Sequence, residues 1–90
     1  MSNQRFGGYD AGVAEVTDAY LEVAVVPDTK LEQLLVYPAV ACYIKLNNSL
    51  KEIYLPAETW TPIDVDITHF NIKAAVAAAT GTVHWQGWFR

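Results

Sequence analysis

Two histidines, a close pair of aspartates, one cysteine and three tryptophans are the residues of this 90-residue chain with the most chemical potential. His69 and His84, taken with Asp64 or Asp66, have the donor types of a zinc site. Their spacing matches no ligand pattern, and histidines at a corner or on a strand ordinarily make surface hydrogen bonds. Asp64 and Asp66 stand two apart, the spacing of neighbours on one strand face. Paired carboxylates can serve acid–base chemistry or hold a hard cation. Ile63, Val65 and Ile67 alternate with them, so the pair reads as the solvated side of a strand, guarding an edge against unwanted pairing. Cys42 alternates with Val40 and Ile44 and is expected to be a buried small hydrophobe, not a nucleophile. No phosphate-cradling glycine loop, G-x-S-x-G elbow or H-E-x-x-H helix occurs. The expectation is a non-enzyme with no catalytic residue, no metal and no cofactor.

The aromatic residues carry more information. Trp85 shares parity with Val83 and Phe89 and reads as core. Trp88 has the opposite parity, with His84 and Gln86, and Trp60 sits in the loop Ala57-Glu58-Thr59-Trp60-Thr61-Pro62. Tryptophan left facing water is costly and is enriched at interfaces, so Trp60 and Trp88 are candidate contact residues. Phe6 and Tyr9 join them, isolated among Gly7, Gly8 and Gly12. Residues 1–12 show neither strand nor helix period. They are expected to form a flexible arm whose two aromatics dock on a neighbouring subunit.

The remaining chain, 13–90, must position these residues. Strand formers dominate it, with period 2 throughout. Val13 to Thr17 is a weak strand and Tyr20 to Val26 a stronger one, ended by Pro27-Asp28. Thr29 and Glu32 have capping-box spacing, so Leu31 to Val36 is either one helical turn or an extended crossing. Pro38 holds Tyr37 extended. Val40 to Leu46 and Leu50 to Leu55 form a hairpin around Asn47-Asn48-Ser49, since asparagine tolerates positive φ. Ile63 to Ile67 gives the cleanest alternation. Buried parity then moves from odd to even numbers at Phe70, Ile72 and Ala74, so Thr68-His69 is a bulge or corner where the chain changes sheets. Ala74 to Ala79 reads as a small-residue strand paired with Val83 to Phe89, and Gly87 marks a bulge or a close backbone approach. The expected fold is an all-β antiparallel β-sandwich, jelly-roll or immunoglobulin-like, of six or seven short strands. Its core is expected from Val40, Cys42, Ile44, Ile63, Val65, Ile67, Val83, Trp85 and Phe89.

Composition narrows the function classes. The net charge is −4 and the pI about 4.9, the wrong sign for phosphate contacts, so no nucleic acid is expected. Asp10, Glu15, Asp18, Glu22 and Asp28 follow one another without an intervening base, while Arg5 and Arg90 sit near the ends; basic ends of one subunit meeting an acidic face of another is one use of that pattern. The single cysteine excludes an internal disulfide. Met1 to Gly8 has no apolar signal region, and no apolar run reaches the ~18 residues of a membrane helix, so neither secretion nor a membrane is expected.

The stretch from Asp64 to Ala75, followed by Thr80-Gly81-Thr82-Val83-His84-Trp85-Gln86-Gly87-Trp88-Phe89, resembles small β-sandwich virion proteins of tailed bacteriophages. The likeness lies in an alternating strand, a small-residue strand and a glycine-turned final strand ending in aromatics. It implies a capsid decoration, head–tail or tail component, assembled in the host cytoplasm and located in the virion. Its partners would be itself, as a homo-oligomer, and other virion proteins. A reading from a different class is a carbohydrate-binding module that stacks sugars on Trp60 and Trp88.

Overall fold

The computed structural model describes residues 8–24 and 30–89. Eight strands form: β1 (Gly8–Val16), β2 (Leu21–Ala24), β3 (Gln33–Pro38), β4 (Cys42–Leu46), β5 (Ile53–Leu55), β6 (Thr61–Ile63), β7 (His69–Ala74) and β8 (Gly81–Phe89). They make two four-stranded sheets, in the orders β1-β8-β3-β6 and β2-β7-β4-β5, and neighbouring strands are antiparallel. No helix occurs among the described residues.

Alternation accounts for the burial. In β3, Leu34, Val36 and Pro38 are buried while Gln33, Leu35 and Tyr37 turn outward; in β7, Phe70, Ile72 and Ala74 are buried. Both sheets feed one apolar cluster, which includes Leu34, Val36, Val83 and Trp85 from the first and Cys42, Ile44, Phe70 and Ile72 from the second. Phe70 meets Trp85 edge to face across it, ring centroids 5.7 Å apart, a favoured aromatic geometry. Of the expected core, Cys42, Ile44, Ile63, Ile67, Val83 and Trp85 are buried, and Val40 is half-buried against them. The side chain of Phe89 lies outside the described residues.

Several expectations are corrected. The strands number eight: of the two readings of Leu31 to Val36 the extended one holds, with Gln33–Pro38 forming β3, and Thr61–Ile63 adds a short edge. Residues 8–12 are not an arm. They are the first half of β1, in register with β8 from Gly8 opposite Phe89 to Gly12 opposite Trp85. Gly12 signals room, not flexibility: a Cβ there would lie 2.9 Å from Trp85 Nε1. Residues 1–7 lie outside the described residues, as do 25–29, where the expected second strand was to end.

Ile63 to Ile67 is not one strand, and Val65 is 47% exposed rather than core. The chain leaves the first sheet after Ile63 and enters the second at His69, so the parity change does mark a change of sheet. Ile67 is pinned on the way by paired backbone bonds with Leu31, each 2.8 Å. Asn47 fixes this crossing. At φ 54° it donates its amide to the Asp66 carbonyl at 2.9 Å, and its Oδ1 accepts the Thr68 N–H at 2.8 Å. The hairpin turn thus holds the loop that feeds β7.

Ala74 to Ala79 is not a strand either, and β7 pairs with β2 and β4, not with β8. The alanines after Ala74 turn back, with Ala78 at φ 62° and its N–H held by Asp18 Oδ2 at 2.8 Å. The final strand does form, as β8 from Gly81 to Phe89. Gly87 is a close approach rather than a bulge, since pairing runs through it on both sides without a break.

Candidate functional site

The outward face of the β1-β8-β3-β6 sheet gathers three of the four candidate contact residues. Register sets its rows. Tyr9 lies beside Trp88, which lies beside Gln33; Ala11, Gln86, Leu35 and Pro62 form the next row; Val13, His84 and Tyr37 form the third. Trp60 extends that third row, its ring 5.1 Å from Tyr37 at 48°. Tyr9 is 71% exposed, Val13 60% and Trp60 46%, while Trp88, Leu35 and Tyr37 are half-buried among them. Phe6 lies outside the described residues.

These rows contain no Lys, Arg, Asp or Glu. Glu15 stands one row beyond, and Asp64 sits at the rim, where its Oδ1 accepts the Gln33 side-chain amide at 3.0 Å. At strand and residue spacings the eleven positions of these rows cover roughly 360 Å²; Gln33, Gln86 and His84 among them are polar and the others aromatic or apolar, and apolar patches of a few hundred Å² on monomeric proteins are often functional.

The other sheet turns a different face outward. Tyr20 donates its hydroxyl to Glu52, with Lys45 Nζ 4.4 Å and Lys73 Nζ 4.9 Å from its ring centre. Burial first, then the hydrogen bond to Glu52, pushes the Tyr20 phenol above its ordinary value, so it stays a donor. Lys73 also approaches Glu52 at 3.9 Å. These charged groups satisfy one another, and Tyr43 and Tyr54 pack edge to face beside them.

The titratable residues singled out in the sequence are dispersed. His84 is on the outward face of β8, and His69 is on β7 in the opposite sheet, beside Thr68 Oγ1 at 3.1 Å. They stand on different sheets, each on the side of its strand away from the buried residues. Asp64 and Asp66 are in a loop rather than on a strand face, and Asp66 pairs with Lys30 at 3.5 Å. No cluster of three or more His, Cys, Asp or Glu residues with metal-binding geometry occurs among the described residues. The Cys42 thiol is fully buried and donates to the Val40 carbonyl at 3.1 Å; burial pushes it up to about 11, which suppresses the reactive thiolate.

Tyr37, Leu35, Val13 and Pro62 were not singled out by sequence. The one available signal was the parity of 33–38, legible only once that segment is known to be extended. Among known proteins, no family model, no curated protein and no solved structure matches this chain.

Proposed function

We propose that this chain is a structural assembly protein of a virus particle, a capsid decoration, head–tail or tail component that works through protein–protein contacts and without catalysis. The observation that carries this is the uncharged aromatic face of Tyr9, Trp88, Leu35, Tyr37 and Trp60. Interface cores are depleted in charge and enriched in Tyr and Trp, as this face is. It associates with further copies of the chain and with other virion proteins, in assemblies built in the host cytoplasm.

The strand order supports the finer fold. The chain places β1, β3, β6 and β8 in one sheet and β2, β4, β5 and β7 in the other, with the first and last strands adjacent. That is the connectivity of an eight-stranded jelly-roll sandwich, an architecture found in viral capsid and lectin domains. Fold analogy of this kind is a weaker support than the face itself. Lectins keep the carbohydrate reading in play, but the 48° tilt between Tyr37 and Trp60 does not give a sugar ring one flat plane at that end.

Sedimentation velocity over a concentration series tests the proposal, with Trp60→Lys as the comparison and titration against polysaccharides alongside. Concentration-dependent association that Trp60→Lys weakens supports assembly. A monomer whose tryptophan fluorescence responds to a polysaccharide supports the carbohydrate module.

A further inference from the structure

Among the described residues β1 is an edge strand, and it differs from the other three sheet edges. β2, β5 and β6 offer four, three and three residues, and β6 carries Pro62. β1 offers nine residues with no proline, lysine or arginine, and it lies at the end of its sheet. Proteins normally blunt a long edge with such residues, because its unpaired backbone groups are a template for another strand.

Hydrogen-bond phase shows which groups are free to pair. Ala39 N–H donates to the Thr82 carbonyl at 2.8 Å, so the even-numbered residues of β8 turn their backbone groups toward β3. Its odd-numbered residues therefore bond to β1, and their partners there are even-numbered. The N–H and C=O groups of Tyr9, Ala11, Val13 and Glu15 point away, along the edge. Ala11 agrees with this phase: its N–H is taken by the Asp10 carboxylate at 2.9 Å.

We infer that β1 is a self-pairing edge, along which two copies of this chain join antiparallel about Gly12 into one continuous sheet. This register sets Tyr9 opposite the second copy's Glu15, Ala11 opposite Val13, and Asp10 opposite Ala14. All nine residues of each strand are paired, and no two carboxylates face one another. Centring on Asp10 or Glu15 would oppose like charges, and centring on Ala11 or Val13 would leave strand ends unpaired. Four edge-facing pairs then exchange about six hydrogen bonds while the two Ala11 N–H groups stay with Asp10, and about eight once they are released. The two-fold axis stands normal to the sheet, so both aromatic faces lie on the same side. Together they cover twice what one copy offers, close to the ~800 Å² that one partner contributes to a standard interface. The choice of a second copy as partner rests on the assembly reading above; the pairing surface itself is separate from the face.

Amide hydrogen exchange on the full chain, at low and high protein concentration, tests the pairing directly. The Asp10, Gly12 and Ala14 amides bond to β8 and are protected throughout. The Tyr9, Val13 and Glu15 amides slow at least about tenfold only as the dimer forms. Val13→Pro removes an edge-facing donor that β8 does not use, and it lowers self-affinity about a hundredfold. Asp10→Ala frees the Ala11 N–H and raises self-affinity on the order of tenfold. A monomer persisting to about 1 mM overturns the inference. So does a dimer in which Tyr9, Val13 and Glu15 still exchange freely, concentration-independent protection of those amides, or a Val13→Pro dimer of unchanged affinity. Should Val13→Pro fail to fold, the wild-type exchange pattern decides alone. Trp60 lies at the far side of the sheet, so Trp60→Lys leaves this dimer intact while removing contacts made by the face.

Discussion

Gly87→Ala isolates one packing relation in this fold. Gly87 is on the inward side of β8 and has no positive φ, so an alanine backbone is permitted there. Space is the obstacle. An added Cβ would overlap Leu31 Cδ1 and would lie 2.9 Å from Cδ2 and 3.1 Å from Cγ. Leu31 is fully buried and its backbone is held by both bonds to Ile67 at 2.8 Å, so its side chain can yield only by repacking against buried neighbours. Overpacking of this kind costs about 1–3 kcal/mol, offset by up to ~1 kcal/mol because alanine restricts the unfolded chain more than glycine does. The net loss of about 1–2 kcal/mol lowers Tm by roughly 5–15 °C in a domain this small. Thermal melts followed by circular dichroism measure it. Leu31→Ala alone opens a cavity, and the double variant Leu31→Ala/Gly87→Ala should be less destabilised than the two single losses added together, because the new methyl occupies vacated space. A Gly87→Ala protein that melts at or above the wild-type temperature, or strictly additive losses, would refute the close-approach account of this glycine.

Three further outcomes follow from named contacts. Val65→Asp should change stability by no more than about 0.5 kcal/mol, whereas Ile67→Asp should unfold the domain; urea titration of both variants separates a crossing loop from a continuous strand. Asn47→Ala removes the side-chain bonds to Asp66 and Thr68 and a residue suited to φ 54°, and should cost about 1–3 kcal/mol by the same titration, with a neutral result counting against the clamp. Cys42 should resist alkylation at pH 8 unless urea is added. Its thiol titrates near 11 in the fold and near the ordinary 9.0 when unfolded, so the stability it contributes is intact below pH 9 and is lost as pH rises toward 11; Tm of wild type should fall more steeply than that of Cys42→Ala across that window.

Local pattern carried some of this structure. Asn47 marked a left-handed turn, and the shift of buried parity from Ile67 to Phe70 marked the change of sheet. Cys42, Ile44 and Trp85 were placed inward correctly by alternation. The same alternation misled at Val65, because a crossing that buries both Ile63 and Ile67 mimics a strand when only side-chain type is read. Glycine misled at 8–12 for another reason. Gly12 leaves room for Trp85, a residue 73 positions away, and no local period reports that contact. The candidate face was visible only in fragments: Tyr9, Trp60 and Trp88 stood out as residue types, while the register that joins them through Leu35 and Tyr37 is non-local.

Sedimentation velocity of wild type against Trp60→Lys tests the central claim most directly, since Trp60 is exposed, outside the core and on the proposed contact face. The account predicts that wild type associates with rising concentration into a defined oligomer larger than the edge-paired dimer, and that the single charge at Trp60 returns it to that dimer. A chain that stays monomeric throughout, or an oligomer indifferent to Trp60→Lys, would contradict it.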